Sequence, residues 1–389
     1  MMKKKIVILG STGSIGSLTF NLIKNDKKNF EIKLLSTNRN YKKVFNQAKL
    51  LNVKDVIISD LDSFHRAKKI YKNHNIRFHN KFSIINKIFK KKTIYYSMVS
   101  IVGLDGLSPS LDLIKYSQNI AIINKESLIC GWNLIYKKLN KYGTNFFPID
   151  SEHFSIFSLL ENKKFNVIDK VFITASGGPF LNFNKRKMSK INISQALKHP
   201  NWNMGKKISI DSSTMMNKLF EVIEAKKIFN LNYSQVKVLI HPKSYIHAIV
   251  RFHNGLTKIL IHQSNMKIPI HNSIYFFDNK KLNSKELNLQ ILNNPNFQKI
   301  DYKKFPLMKL LNLLPKSDSL FETVLVTVND YFVSLYLNSK LSYIKLIKFI
   351  NFYSRLSKFK KFKSYTPKNV QDIYKTREYV NEILNNSDI

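Results

Sequence analysis

Ile6-Val7-Ile8-Leu9-Gly10-Ser11-Thr12-Gly13-Ser14-Ile15-Gly16 opens the chain with a short apolar run, three glycines at every third position, and the start of an amphipathic segment. A buried strand, a tight turn and a helix N-terminus in that order predict one βα unit of a parallel sheet. The glycines let the backbone approach a ligand closely, and a helix N-terminus favours a pyrophosphate. The Gly-x-x-Gly-x-x-Gly spacing departs from the commonest dinucleotide pattern, and a plain strand-to-helix turn is the alternative. Of only eleven glycines in the chain, three stand here, which favours the dinucleotide.

Outward from that unit the same alternation continues. Strand patterns at Ile6–Leu9, Ile32–Leu35, Asp55–Ile58, Ile94–Val102, Asn119–Ile123 and Asn145–Ile149 are separated by Lys-rich helical periodicity. Residues 1–150 therefore read as a doubly wound, Rossmann-like parallel sheet, an α/β domain. Residues 151–275 mix helices with strands at Val167–Thr174, Lys206–Ile210, Val236–Ile240 and Ala248–Phe252, an α+β domain. An Asn/Lys-rich connector fills 276–305, and 306–389 is helical without strand signals, a C-terminal helical bundle.

The chain has 389 residues, 44% hydrophobic and 23% charged, as in an ordinary globular protein. Its net charge of +39 is unusual. Lysines are scattered through every segment, and Asn, Ile, Phe and Tyr are plentiful beside them. All five share A/T-rich codons, so genome composition explains them together, whereas a nucleic-acid surface would explain only the lysines. No nucleic-acid partner is expected. A single cysteine, Cys130, excludes an intramolecular disulfide and suits a reducing compartment. No apolar run approaches the ~18 residues of a membrane helix, so a cytoplasmic protein without membrane contact is expected.

Several segments carry chemistry. The second strand ends in Thr37-Asn38-Arg39-Asn40 with no acid for ribose hydroxyls; Arg39 suits a 2′-phosphate, which favours NADP over NAD. Asp150-Ser151-Glu152-His153 lies at a strand's carboxyl end, where extended geometry would point Asp150 and Glu152 the same way, toward one hard cation such as Mg²⁺ or Mn²⁺. A helix N-cap with Glu152 in the first turn explains the segment equally well. His153 reads as an orienting imidazole. Thr174-Ala175-Ser176-Gly177-Gly178-Pro179 offers a phosphate nest, and His199-Pro200-Asn201-Trp202-Asn203-Met204-Gly205 a lid with His199 donating to an anion. Asp211–Ala225 places Asn217, Lys218 and Glu221 on one helix face, either as ligand and metal contacts or as a surface ion pair. Glu224 shares that face, and spacing does not choose between the two glutamates.

Together, in this order, Gly10–Gly16, Asn124-Lys125-Glu126-Ser127, Asp150–His153, Ser176–Pro179, His199–Gly205 and Asp211–Ala225 resemble the 1-deoxy-D-xylulose 5-phosphate reductoisomerase family. His241-Pro242, Ser244, His247, Met266 and Pro269-Ile270 also fit, so the resemblance spans about residues 4–335. It implies an NADPH- and metal-dependent conversion of a small phosphorylated sugar, 1-deoxy-D-xylulose 5-phosphate, to 2-C-methyl-D-erythritol 4-phosphate in non-mevalonate isoprenoid biosynthesis. A skeletal rearrangement would be followed by hydride transfer. It further implies Asp150, Glu152 and Glu221 as ligands of Mg²⁺, Mn²⁺ or Co²⁺, choosing Glu221 over Glu224. Lys125, Ser151, Glu152, Ser176, His199, Ser212, Asn217, Lys218 and Glu221 would contact substrate, with Lys125 among the catalytic residues beside the metal ligands. Thr12, Gly13, Ser14, Ile15, Asn38, Arg39, Asn40, Asn124, Glu126 and Gly205 would bind NADPH, Trp202 and Met204 would form the flap, and the protein would be a homodimer. Leu219-Phe220 replaces a family Gly-Leu, Asn38 and Leu104-Asp105 stand where small residues are usual, and Val326–Asp330 departs from an Asn-Ala-Ala-Asn-Glu pattern.

Overall fold

The computed structural model describes residues 2–161, 167–278, 280–284, 286 and 288–387. Part of the expected 276–305 connector lies outside them. The chain forms two compact units: Met1–Leu128, Leu134–Asp150 and Met266–Asn283 make the first, and Ile129–Asn133, Ser151–Asn265 and Ser284–Ile389 the second.

In the first unit, β1 (Lys4–Leu9), β2 (Phe30–Thr37), β3 (Asp55–Ile58), β4 (Arg77–His79), β5 (Ile94–Val99), β6 (Ser117–Ile122) and β7 (Asn145–Phe147) form one sheet. Its order is β4-β3-β2-β1-β5-β6-β7, with every pairing parallel. Ile6, Val7, Ile8 and Leu9 are fully buried, because helices cover both faces of such a sheet and its central strand has no solvated side. The strand order reverses at β1, and the loop after it lies where doubly wound sheets bind ligands. Gly10 takes φ +78°, and a Cβ there would stand 2.6 Å from the Ser100 carbonyl oxygen. A Cβ on Gly16 would stand 2.2 Å from the Gly10 oxygen, whereas one on Gly13 would be in ordinary contact at 3.5 Å.

In the second unit, β8 (Ile168–Ala175), β9 (Val236–Ile240), β10 (Ile246–Phe252) and β11 (Thr257–Ile261) form a sheet of order β11-β10-β8-β9. β8 and β9 are parallel and the other pairings antiparallel. Helices Phe321–Leu337, Tyr343–Tyr353 and Val370–Asn385 supply the expected helical C-terminal region.

Several strand expectations need correction. Lys206–Ile210 is not a strand but the first part of a helix, Lys206–Ser213. Its Ile208 and Ile210 alternate like a strand, yet the Ser209 hydroxyl hydrogen-bonds back to the Gly205 carbonyl at 3.0 Å, and Ser213 to that of Ile210 at 2.7 Å. Within Asp211–Ala225, Met215, at φ +64°, ends that first helix and begins a second, Met216–Ile228, which carries Asn217, Lys218 and Glu221 on one helix as expected. Of the two readings left open for Glu152, the structure has the helical one: it lies in the first turn of helix Ser151–Leu160. Ile94–Val102, Asn119–Ile123 and Asn145–Ile149 stop short, at Val99, Ile122 and Phe147. β4 and β11 were not anticipated, although Asn254-Gly255 between two apolar runs is a hairpin signal.

Gly16→Ala should lower stability by about 1–3 kcal/mol, the range for a forced overpacking, and Gly13→Ala by less than about 1 kcal/mol. Thermal denaturation of the two variants checks this order.

Candidate active site

The second unit gathers its ionisable side chains at the start of two helices. Glu152 sits in the first turn of Ser151–Leu160, and Asn217, Lys218 and Glu221 occupy one face of Met216–Ile228. Lys218 Nζ donates to Glu152 Oε1 at 2.6 Å and also to Glu221 Oε2. Asn217 Nδ2 donates to Glu221 Oε1 at 2.5 Å, and the Ser151 hydroxyl to Glu152 Oε2 at 2.6 Å. Lys218 and Glu221 are buried, which rules out a solvated surface pair. Burial alone would raise the Glu152 carboxyl, but the Lys218 charge, His247 and hydrogen bonds from Lys218 and Ser151 hold it well below the usual carboxylate range. Burial would lower Lys218, and the two glutamates overcome it and raise the ammonium. Two buried carboxylates against one ammonium leave an excess negative charge, which a low-dielectric site tolerates only with further cationic or hydrogen-bonding partners.

Glu221 and Glu224 face different neighbours. Glu224 Oε2 lies 4.0 Å from His153 Nδ1, whose Nε2 is 2.9 Å from the Glu221 backbone carbonyl. His153 thus packs against the helix, and Glu221 alone of the two glutamates shares the ammonium with Glu152.

The loop after β8 supplies the hydroxyl side of the site. Gly177 and Gly178 both take left-handed φ, +84° and +68°. A Cβ on Gly178 would stand 2.9 Å from the Ser212 carbonyl oxygen, so this glycine brings the Ser176 loop against the helix end that carries Ser212. The Ser176 hydroxyl is 3.0 Å from His199 Nε2. His199 Nδ1 accepts the backbone N–H groups of Asn201 and Trp202 at 3.1 and 3.0 Å. Its proton therefore sits on Nε2, which donates to Ser176. Burial and then Lys218 push the His199 imidazole down to about 4, so the anion contact expected of it is that of a neutral ring. The lid segment is tied back by Asn201 Nδ2, which donates to the Pro242 carbonyl at 2.7 Å and to the Ser244 hydroxyl at 2.9 Å. The Trp202 and His247 rings meet edge-on at 6.2 Å. Gly205 caps the helix Lys206–Ser213 and has open space where a side chain would stand.

In the first unit the glycine loop is braced from β2 and the helix after it. The Gly10 N–H donates to the Ser36 hydroxyl at 2.9 Å, Thr12 and Thr37 hydroxyls meet at 2.7 Å, and Lys43 Nζ reaches the Thr12 carbonyl at 2.9 Å and the Ser17 hydroxyl at 2.8 Å. Ser14 begins the helix Ser14–Lys24, with Ile15 in its first turn. Asn38 Nδ2 donates to the Ser59 hydroxyl at 2.9 Å, and Asn40 caps the helix Tyr41–Leu50. Arg39 remains 82% exposed and meets Asp60, from the end of β3, at 3.3 Å. Asn124 caps the helix Lys125–Tyr142 through Ser127 and also reaches the carbonyls of Ile101 and Gly103. Glu126 is buried in that helix's first turn, and Lys125 Nζ donates to Asp150 Oδ2.

Comparison with known proteins places this arrangement. Residues 6–131 match the family model "1-deoxy-D-xylulose 5-phosphate reductoisomerase", 146–229 its C-terminal domain and 261–383 a further DXP reductoisomerase C-terminal domain. A 1-deoxy-D-xylulose 5-phosphate reductoisomerase of Pelagibacter ubique is 55% identical over 97% of both chains, and one of Wolbachia pipientis is 37% identical over 88% of both. The chain belongs to the 1-deoxy-D-xylulose 5-phosphate reductoisomerase family. The solved Zymomonas mobilis reductoisomerase, in complex with NADPH, has a TM-score of 0.87 at 27% identity over 98% of both chains. A DOX-P reductoisomerase bound to NADPH, fosmidomycin and magnesium has a TM-score of 0.90 at 27% identity, covering 98% of this chain and 97% of that one.

At one departure from the reductoisomerase pattern, Leu219 and Phe220 are both fully buried, in a helix buried along most of its length, and Lys207 Nζ lies 5.8 Å from the Phe220 ring centre. Residues that no motif singles out support the site. Tyr343 donates its buried hydroxyl to the Ser213 carbonyl at 2.7 Å, Asn329 donates to Asp211 Oδ1 at 2.8 Å, and Lys207 bridges Asp211 and Asp330 at 3.3 and 2.8 Å. These bonds hold the helix end that carries Ser212. No local pattern announces them, since the partners lie more than a hundred positions apart.

In the ligand-free protein the His199 ring should stay neutral until about pH 4, because burial and Lys218 both oppose its protonation. Its ring-carbon NMR signal is expected to hold constant from about pH 8 to about pH 5; a titration centred near 6.5 would contradict the neutral donor.

Proposed function

We propose that this chain converts 1-deoxy-D-xylulose 5-phosphate to 2-C-methyl-D-erythritol 4-phosphate with NADPH and a divalent metal, in non-mevalonate isoprenoid biosynthesis. The observation that carries this reading is the Lys218 ammonium bridging Glu152 and Glu221. Oxygens of these two carboxylates lie within 4.8 Å of one another, and a cation already sits between them. An all-oxygen, buried and negatively charged set of this kind fits Mg²⁺, Mn²⁺ or Co²⁺. Asp150, two positions before Glu152, completes the proposed ligand set. When bound, the metal supplies Lewis-acid polarisation of the substrate's carbonyl and hydroxyl oxygens.

The chain's own residues do the rest. Lys218, Asn217, Ser212 and Ser176 hold the substrate phosphate, with Ser176 oriented by the neutral His199. Ser151 and Lys125 orient Glu152 and Asp150 by hydrogen bonding, and both also face substrate. Residues His199–Gly205 close over the substrate and exclude water. For NADPH, the loop Thr12–Ile15 supplies backbone N–H groups and a helix N-terminus to the pyrophosphate, and Gly10 and Gly16 shape that loop by letting it pack against the Ser100 and Gly10 backbones. Arg39, flanked by Asn38 and Asn40, takes the 2′-phosphate, while Asn124, Glu126 and Gly205 complete that site. In this division 1–150 binds NADPH, 151–275 carries catalysis, 276–305 connects and 306–389 braces. A homodimer working in the cytoplasm fits the family; among the described residues no helix is long and apolar enough to cross a membrane.

NADPH oxidation should require both 1-deoxy-D-xylulose 5-phosphate and added Mg²⁺ or Mn²⁺. Glu221→Gln should keep the fold by circular dichroism and lose on the order of 10³-fold in turnover, equivalent to about 4 kcal/mol of transition-state stabilisation. Undiminished turnover would remove Glu221 from the metal site.

A further inference from the structure

The first unit holds a second concave site, at the opposite edge of its sheet from the glycine loop. Strands β1 to β5 begin there, and their N-terminal ends enclose a cavity of about 510 Å³. Lys5 and Lys33 come from within β1 and β2, Lys54 from just before β3, Arg77 from the start of β4, and Lys90 and Lys91 from the loop before β5. The parallel register brings them together: Lys5 stands opposite Glu31, and Asp55 opposite Arg77.

Six cations face two acids, and both acids are already engaged. Glu31 pairs with Lys33. Asp55, buried, receives Arg77 Nε and Nη2 at 2.8 and 2.6 Å and His79 at 2.8 Å. Burial would raise the Asp55 carboxyl, but His79 and Arg77 bring it down to about 2, so it stays an anion committed to those partners. The same bidentate pair fixes the Arg77 guanidinium, while its Nη1 makes no hydrogen bond among the described residues. Lys5, Lys54, Lys90 and Lys91 have no acidic partner among the described residues. Their neighbour Lys92 does have a local role, donating to the carbonyls of Tyr142 and Gly143.

We infer that this cavity binds a small polyphosphorylated molecule, a di- or triphosphate, between the prepositioned Arg77 and the four unpaired lysines. Positive charge in a concave, low-dielectric wall focuses the field on a multiply charged anion, and a fixed guanidinium edge suits phosphate oxygens. The volume is that of a small-ligand site. The other polyanions fit poorly. Phe89, the only aromatic residue in the lining, is buried and offers no face on which bases could stack. Ile32 is buried too and Ile88 half-buried, so nothing apolar projects as a membrane-inserting contact would.

The probe is sodium tripolyphosphate, titrated calorimetrically into the full chain saturated with NADPH, without divalent metal, at about 0.15 M salt. NADPH occupies the glycine loop and removes it as a competing site. The wild type should bind, and Lys54→Glu/Lys90→Glu/Lys91→Glu should weaken binding by about tenfold or more while leaving basal NADPH oxidation unchanged. A control with the same charge change elsewhere, Lys348→Glu/Lys358→Glu/Lys360→Glu, should alter affinity by less than about twofold. Equal weakening in both triple variants would mean general charge alone and overturn the site. No binding to the wild type would overturn it also. So would binding of single-stranded RNA or anionic vesicles through Lys54, Lys90 and Lys91 when tripolyphosphate does not bind.

Discussion

Lys218 Nζ between Glu152 and Glu221 is the interaction on which the candidate site of the second unit depends. Two carboxylates cannot share a dry pocket without a cation, because their mutual repulsion and lost hydration would neutralise one of them. The lysine three positions before Glu221 supplies that cation from within the same helix. It holds the Glu152 carboxyl below the usual carboxylate range against its burial, and it pairs with Glu221 as well. Burial first, and then the same ammonium, depress His199, which remains the neutral donor that orients Ser176. One charge thus meets two carboxylates and helps to depress an imidazole, on three different chain segments.

The helix pair that presents these groups depends in turn on packing from far along the chain. Met215 takes a left-handed backbone between Lys206–Ser213 and Met216–Ile228, which turns the second helix away from the first. Gly178 lets the β8 loop touch the end of the first helix, and Tyr343 and Asn329 hold that end from the C-terminal helices. Strain at one non-glycine residue is sustained because the flanking turns are held on two sides. The C-terminal bundle is therefore a brace for the site rather than an appendage.

Much of this was legible in the sequence, for physical reasons that also explain the rest. β1 sits between two helical layers, so its run Ile6–Leu9 is continuous and unmistakable. Gly10 and Gly16 are set by backbone contacts under 3 Å, which no other residue tolerates. Asn217, Lys218 and Glu221 follow helical spacing, and spacing is visible in one dimension. Lys206–Ile210 misled because two isoleucines alternate with polar residues, while the groups that make it a helix, Gly205 and the serine back-bonds, are weak local signals. Glu152 is compatible with strand or helix in the sequence, because Asp150-Ser151-Glu152 suits a strand end and a first helical turn alike. The supports from Asn329 and Tyr343 were illegible, since only the fold brings such distant positions together.

Competition between Lys218 and a metal for the same two carboxylates can be measured directly. Mn²⁺ titration followed by electron paramagnetic resonance should show one bound ion per wild-type chain. Lys218→Met removes the internal cation and should tighten Mn²⁺ binding by about tenfold, roughly 1.4 kcal/mol. Unchanged or weaker binding in Lys218→Met would mean that Glu152 and Glu221 are held for the lysine alone, and would contradict the metal site.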